Sequence, residues 1–292
     1  MRRAALVTSV LLLATAISAA AEPASRPTTG PATRPRRVAT TATTQVTVTA
    51  DAQPWFDKLA AFYAKPGPLR VEGVLTGHFD VAGRAKDYSL AIVGQVDDAG
   101  RFRHDTDAGL LINTGSAAYL YDRKRDAYAE LTTAPGRQAI EAISPTFIGI
   151  LVDENPAVLL KHAADPAALL GQLGKSIRLA PSAATQPADV KAAAGLVFEQ
   201  QDRLQTLWLS DAGEIVAATI DYSPMMRSRK ANAIKAALAT LVYRSSEVKI
   251  PDAGIFNWQP PATAMQFDAE PDLMRPATTQ SATRAATTPR RP

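Results

Sequence analysis

Apolar positions along this chain recur with two different periods. Early in the central region Trp55, Phe56, Leu59, Phe62 and Tyr63 share one face of a predicted helix, preceded by Asp51 and Pro54 and stopped by Pro66-Gly67-Pro68. The period then falls to two. Leu69, Val71, Gly73 and Leu75 alternate with Arg70, Glu72 and Thr76, and further strands are predicted at 88–96, 101–104, 110–113, 117–121 and 127–132. Turn clusters such as Asp97-Asp98-Ala99-Gly100 and Thr114-Gly115-Ser116 separate them. Links this short cannot hold parallel crossovers, so the pattern predicts a single antiparallel meander.

A helical stretch interrupts the strands, with helices expected over 137–143, 145–152, 156–163 and 166–173. Pro145, Pro156 and Pro166 suit the first turn of a helix, which breaks the region into short pieces. Its side chains are markedly apolar: Phe147, Ile148, Ile150, Leu151, Val158, Leu159, Leu160, Leu169 and Leu170 must bury against something. Strands resume at 176–179, 195–200, 204–210 and 214–222. The stretch 234–250 carries both signals, helix-like in its early alanines and strand-like at Leu241-Val242-Tyr243. A sheet of about ten strands with apolar helices on one face predicts a curved sheet. Its covered face is either a packed core or a site for a hydrophobic ligand.

The two ends differ from this middle. Arg2 and Arg3, the apolar run Ala4 to Ile17 and the small residues Ser18 to Ala21 have the three-part layout of a secretory signal. Residues 1–21 are therefore expected to be removed on export, leaving a periplasmic or secreted protein. The apolar run is shorter than the ~20 residues of a spanning helix, and no later run is longer. Residues 22–50 and 271–292 are rich in Pro, Thr, Ala and Arg and are expected to be disordered, while 51–270 forms one domain.

Charge follows the same division. The formal net charge is +4, but ten of the 32 Lys and Arg lie in the two ends, against two of the 28 Asp and Glu. That leaves 22 basic and 26 acidic residues in 51–270, a mildly acidic domain without the basic stripe that nucleic acid requires. The arginines of the tails are candidates for contact with anionic surfaces.

Catalytic signatures are sparse. The chain has no cysteine, which excludes disulfides, thiolate metal sites and a lipid anchor on cysteine. It has no Gly-x-Ser-x-Gly elbow and no phosphate-cradling glycine loop. Of its three histidines, His78 with Asp80 and His104 with Asp105 and Asp107 form the one cluster that two strands could gather around a metal, the basis of a metal-dependent hydrolase alternative. Solvated turn residues are the plainer reading, and neither cofactor nor metal is expected.

The final predicted strand, Ile255-Phe256-Asn257-Trp258-Gln259-Pro260-Pro261-Ala262-Thr263-Ala264, resembles the closing F-x-(F/W)-x-P-P signature of LolA-like periplasmic lipoprotein carriers. Leu207-Trp208-Leu209-Ser210-Asp211-Ala212-Gly213 resembles their L-W-(I/L)-x-x-x-G hairpin, and Ala118-Tyr119-Leu120-Tyr121-Asp122 their aromatic strand. The region 144–170 resembles their lid. The resemblance spans 53–267 and implies an α+β fold: a strongly curved antiparallel β half-barrel with an N-terminal helix and short lid helices over the concave face. It also implies a non-catalytic carrier of a lipid, lipoprotein or other apolar ligand. Alternation and lid position then nominate Leu75, Leu90, Ile92, Tyr119, Tyr121, Phe147, Ile148, Leu151, Trp208 and Ile220 as the lining. The alternative of a module that binds another envelope protein predicts a filled core and an exposed apolar patch.

Overall fold

The computed structural model describes residues 46–267, apart from 82, 132, 134, 135, 182, 183, 185, 201, 229–233 and 249–251. The expected signal segment and the C-terminal tail lie outside the described residues.

Among the described residues, thirteen strands form one curved, unclosed sheet in the order β1-β8-β9-β10-β11-β12-β2-β3-β4-β5-β6-β7-β13. They are β1 (Thr47–Val48), β2 (Leu69–Val81), β3 (Arg84–Val96), β4 (Phe102–Thr106), β5 (Gly109–Asn113), β6 (Ala118–Asp122) and β7 (Ala127–Leu131), then β8 (Ser176–Leu179), β9 (Ala194–Glu199), β10 (Leu204–Leu209), β11 (Ile215–Asp221), β12 (Ile234–Glu247) and β13 (Met265–Phe267). The helices are α1 (Gln53–Ala64), α2 (Pro145–Glu154), α3 (Pro156–His162), α4 (Pro166–Leu170) and α5 (Ser223–Ser228).

The order departs from the single meander predicted by loop length. Two meanders, β2 to β7 and β8 to β12, are joined side by side by the antiparallel pairing of β12 with β2, where Leu241 faces Leu75 and Ala239 faces Gly77. Each outer edge is closed by a short parallel strand, β1 on β8 and β13 on β7. The ambiguous stretch 234–250 is a strand over most of its length because β11 and β2 hydrogen-bond to it from both sides.

Two other expectations are corrected. The region 137–143 holds only a single 3-10 turn at Ile140–Ala142, because Gln138 is held extended: its amide donates to His162 O and its carbonyl accepts from Ala164 N. Residues 253–264 do not form a strand; Ala253–Phe256 is a 3-10 turn capped by Asp252, and strand pairing begins only at Met265.

One face of the sheet and the helices share a single core. Leu69, Val71 and Leu75 of β2, Leu90 and Ile92 of β3, and Leu207, Ala218, Ile220 and Leu241 pack with Leu59, Leu151 and Leu159 of the helices. At its centre α3 is buried along its whole length, in contact with β2, β3 and β4 and with α1, α2 and α4. Its lysine explains how: Lys161 donates from Nζ to Lys65 O just beyond α1, and Arg137 donates to Tyr63 O and Lys161 O. Two cations from elsewhere thus satisfy carbonyls at the end of a helix that has no basic residue in its own last turn.

A smaller apolar layer covers part of the other face. Leu110 and Ile112 of β5 point there and are fully buried, paired with Tyr121 and Tyr119 of β6. The segment after β12 lies over them. Arg103 donates to Ile255 O at 3.1 Å, Arg101 stacks over Phe256, and Trp258 sits 5.4 Å from Tyr119 and 5.6 Å from Tyr121.

Candidate functional site

Between α2 and α3 the chain breaks at Asn155, with φ −158° and ψ 68°, where Pro156 starts a new helix. Three consecutive polar residues, Asp153, Glu154 and Asn155, occupy this break in the most apolar part of the chain. Each reaches a different strand. Asp153 Oδ2 accepts from Arg203 Nη1, just before β10, at 2.7 Å and from the Tyr222 hydroxyl, just after β11, at 3.0 Å. Glu154 Oε2 lies 2.8 Å from His104 Nε2 on β4. Asn155 Oδ1 accepts from the Tyr243 hydroxyl of β12 at 2.8 Å and caps α3 through Val158 N at 3.4 Å. On a flat sheet β11 and β4 would stand about 19 Å apart, four strand spacings. Neighbouring residues reach both because the sheet wraps around them.

The approach is close because the sheet supplies glycine below. A Cβ on Gly94 would lie 2.2 Å from Asn155 Nδ2 and 2.4 Å from Val158 Cγ2. Gln205 completes the support, donating to Val152 O at 2.7 Å and so satisfying a carbonyl at the end of α2.

Burial governs the electrostatics. The Asp153 carboxyl is pushed up to about 6 by desolvation, which outweighs the opposing pull of Arg203 and of the Tyr222 hydrogen bond. Burial also raises the Tyr222, Tyr243 and Tyr88 phenols, with the nearby Asp153 adding to the rise at Tyr222 and both Glu154 and Asp153 adding at Tyr88. All three phenols therefore stay protonated and available as donors.

Beside this hub lies an aromatic row. The Tyr88 ring stacks on Phe79 at 5.9 Å, and Phe79 lies 6.0 Å from Tyr222. The floor beneath is small: Gly77, Ala237 and Ala239 are neighbours across β2 and β12, and a Cβ on Gly77 would sit 1.8 Å from the Tyr88 ring. Among the described residues, the Tyr88 hydroxyl and Asp153 Oδ1 are buried with no hydrogen-bond partner.

The imidazole of the hub is committed to structural contacts. His104 is 2% exposed, with one ring nitrogen on Glu154 and the other 3.4 Å from Asn155 Nδ2, so a substrate would have to displace a structural contact to reach it. The alternative pairing of His78 with His104 does not form, and the reading of both as solvated turn residues holds for His78 but not for the buried His104. His78 instead contacts Asp87 at 2.6 Å on the surface, and no group of three His, Asp or Glu able to hold a metal occurs among the described residues.

Of the lining residues nominated from sequence, Leu75, Leu90, Ile92, Phe147, Leu151 and Ile220 meet in the shared core, and Ile148 is half-buried against it. Tyr119, Tyr121 and Trp208 lie on the opposite face of the sheet. Tyr119 and Tyr121 turn away from the helices because Ala118 and Leu120 take the inward positions of β6, and Trp258 covers them. Trp208 turns away because Leu207 and Leu209 point inward; its ring lies over Gly195, whose missing side chain leaves the space. Asp153, Glu154, Asn155, Arg203, Tyr222 and Phe79 were not singled out by sequence. The signal was there in Asp-Glu-Asn-Pro, a polar triplet ending in a helix cap between two apolar runs.

No protein-family model matches the chain, and no curated protein matches it. Among solved structures it is similar to an uncharacterized conserved protein from Thermus thermophilus, with 11% identity, 75% of this chain and 99% of that chain covered, and a TM-score of 0.41. It is also similar to a LolA superfamily protein from Nitrosomonas europaea, at 8% identity over 70% of this chain and 96% of that one, with a TM-score of 0.29. LprF from Mycobacterium bovis is a third, at 11% identity, 70% and 97% coverage and a TM-score of 0.33.

Proposed function

We propose that this protein is an exported, non-catalytic binder of an apolar or amphipathic ligand, held on the helix-covered face of the sheet. The observation that carries the reading is the aromatic row at the hub: Phe79 and Tyr88 are half-buried apolar rings packed on the core over a floor of glycine and alanine. Phe79, placed this way, can swing aside and leave an apolar recess beside Tyr88 without disturbing the backbone. Met226 of α5, likewise half-buried against the core and on a helix that contacts β12, belongs to the same margin.

The driving force is desolvation. Each methylene taken from water contributes ~0.8 kcal/mol, so a chain of about ten carbons contributes roughly 8 kcal/mol before the cost of immobilising it. Leu75, Leu90, Ile92, Phe147, Ile148, Leu151 and Ile220 form the apolar wall in this reading, with α2 to α4 as its cover. Because α3 is buried along its whole length, a ligand enters beside Tyr88 rather than by lifting that helix.

Native mass spectrometry of the gently purified protein tests the reading. A co-purifying lipid that organic extraction removes, and whose removal lowers the melting temperature, is the expected result. A ligand-free mass together with failure to take up any added acyl compound would overturn it. An interaction module is the second reading, favoured by the filled centre of the core at α3, and it predicts a bound envelope protein in the same spectrum.

A further inference from the structure

We propose that Asp153 and Tyr88 form a polar subsite for the primary ammonium head of an amphipathic ligand, whose apolar chain occupies the recess beside them; this rests on the ligand-binding reading above. Three features lie at the hub, where Glu154 and Asp153 are near enough to Tyr88 to act on its phenol. Asp153 is 8% exposed and spends only Oδ2 on Arg203 and Tyr222, so Oδ1 remains a buried acceptor in need of a donor. The Tyr88 hydroxyl is a second buried polar atom without a partner among the described residues. The faces of Tyr88, Phe79 and Tyr222 supply the aromatic surface that attracts a desolvated cation.

Charge selects the class of head group. Two carboxylates, Asp153 and Glu154, stand in the hub against one guanidinium, Arg203, and Glu154 is already directed to His104. A carboxylate or phosphate head would face Asp153 with the wrong sign. A hydroxyl could donate to Oδ1 but brings no charge to offset the buried carboxylate. An ammonium donates to Asp153 Oδ1, presents a second N–H to the Tyr88 oxygen and lies beside the rings.

The test uses three probes of equal chain length below their micelle-forming concentrations: dodecylamine, dodecanol and dodecanoate. Their affinities for the full-length protein are read by tryptophan fluorescence and by calorimetry. Dodecylamine is expected to bind at least about tenfold more tightly than either of the others, the worth of one charge-assisted hydrogen bond. Asp153→Asn is expected to bring dodecylamine down to the affinity of dodecanol. Tyr88→Phe keeps the ring on Gly77 and removes only the hydroxyl, so it narrows the preference even where the Asp153 variant folds poorly. Equal binding of all three probes, or a preference for dodecanoate, overturns the subsite and leaves the carrier reading standing. Binding of none of them overturns the carrier reading itself.

Discussion

Glu154 and His104 are fixed to one another by a neighbour that touches both the ring and the next helix. Asn155 offers its Nδ2 to His104 Nδ1, and its Oδ1 is committed to Tyr243 and to Val158 N, so the carboxamide has one orientation. The imidazole proton therefore sits on Nε2 and points at Glu154.

Glu154→Gln keeps an acceptor opposite Nε2, whereas Glu154→Ala leaves the buried N–H unmatched. Urea denaturation should give a loss of less than about 1 kcal/mol for the first and about 2–3 kcal/mol for the second. Equal losses would mean that the contact does not depend on an acceptor.

Two buried groups oppose one another as pH falls. The Asp153 carboxyl stands at about 6 in the fold against 3.8 in the unfolded chain, raised by burial. Between pH 6 and 4 the folded state takes up its proton first, so this group alone makes stability rise with acid. The His162 imidazole stands at about 4 against 6.5, lowered by burial against the pull of its bond to Gly100 O. Between pH 6.5 and 4 the unfolded chain takes up that proton first, so this group alone makes stability fall. At 1.36 kcal/mol per unit each effect is about 3 kcal/mol, and they largely cancel. Asp153→Asn should therefore steepen the loss of stability through this window, and His162→Gln should reverse it. Denaturation curves that keep the slope of the parent in both variants would refute the opposition.

Gly94 is the contact point of α3 on β3. Gly94→Ala should lower stability by about 1–3 kcal/mol through overpacking against Asn155 and Val158. The same change at Gly83, where nothing lies within 4 Å of the added carbon, is strained by its φ of +73° but overpacks nothing, so hydrogen exchange in α3 should accelerate only in the Gly94 variant.

Gly77 bears on access to the site. An added methyl there must displace the Tyr88 ring, which is the movable partner of the clash. Gly77→Ala should make Tyr88 more reactive toward iodination and leave the strand pairing of β2 with β3 intact by circular dichroism. An unreactive Tyr88 in this variant would show that the added methyl does not displace the ring.

Trp258 fastens the closing segment to the second face. Trp258→Ala should cost about 3 kcal/mol if the segment unfolds with the rest. Limited proteolysis should then cleave near residues 253–264 faster than in the parent, and unchanged cleavage would place the anchoring elsewhere.

Local patterns are legible in the sequence and distant convergence is not. The alternation of β2 and the first-turn prolines of α2, α3 and α4 depend on neighbours a few residues away, and both can be read directly. Ala236, Ala237 and Ala239 suggest a helix; they lie in a strand because β11 and β2 pair with it, and the inward Ala237 and Ala239 leave room beside Gly77 for the Tyr88 ring. Tyr119, Tyr121 and Trp208 invite an inward assignment as large apolar side chains, but their faces are decided by Ala118, Leu120 and Leu207 beside them. The hub escapes a reading of sequence because Tyr88, His104, Asp153, Arg203, Tyr222 and Tyr243 meet only once the sheet has wrapped.

The seam between β12 and β2 also sets the order in which this chain can be completed. Leu75 and Leu241 lie on either side of it, and no turn brings them together. Each meander can zip up from its own hairpins, whereas the seam must close a loop of more than 150 residues, the slow step expected of a topology with such distant pairing. Until it closes, the thirteen residues of β2 present a long unpaired border, the kind of edge on which chains join one another. The chain meets that hazard each time it folds, so its yield should depend on concentration during refolding far more than its finished, short-edged sheet would suggest.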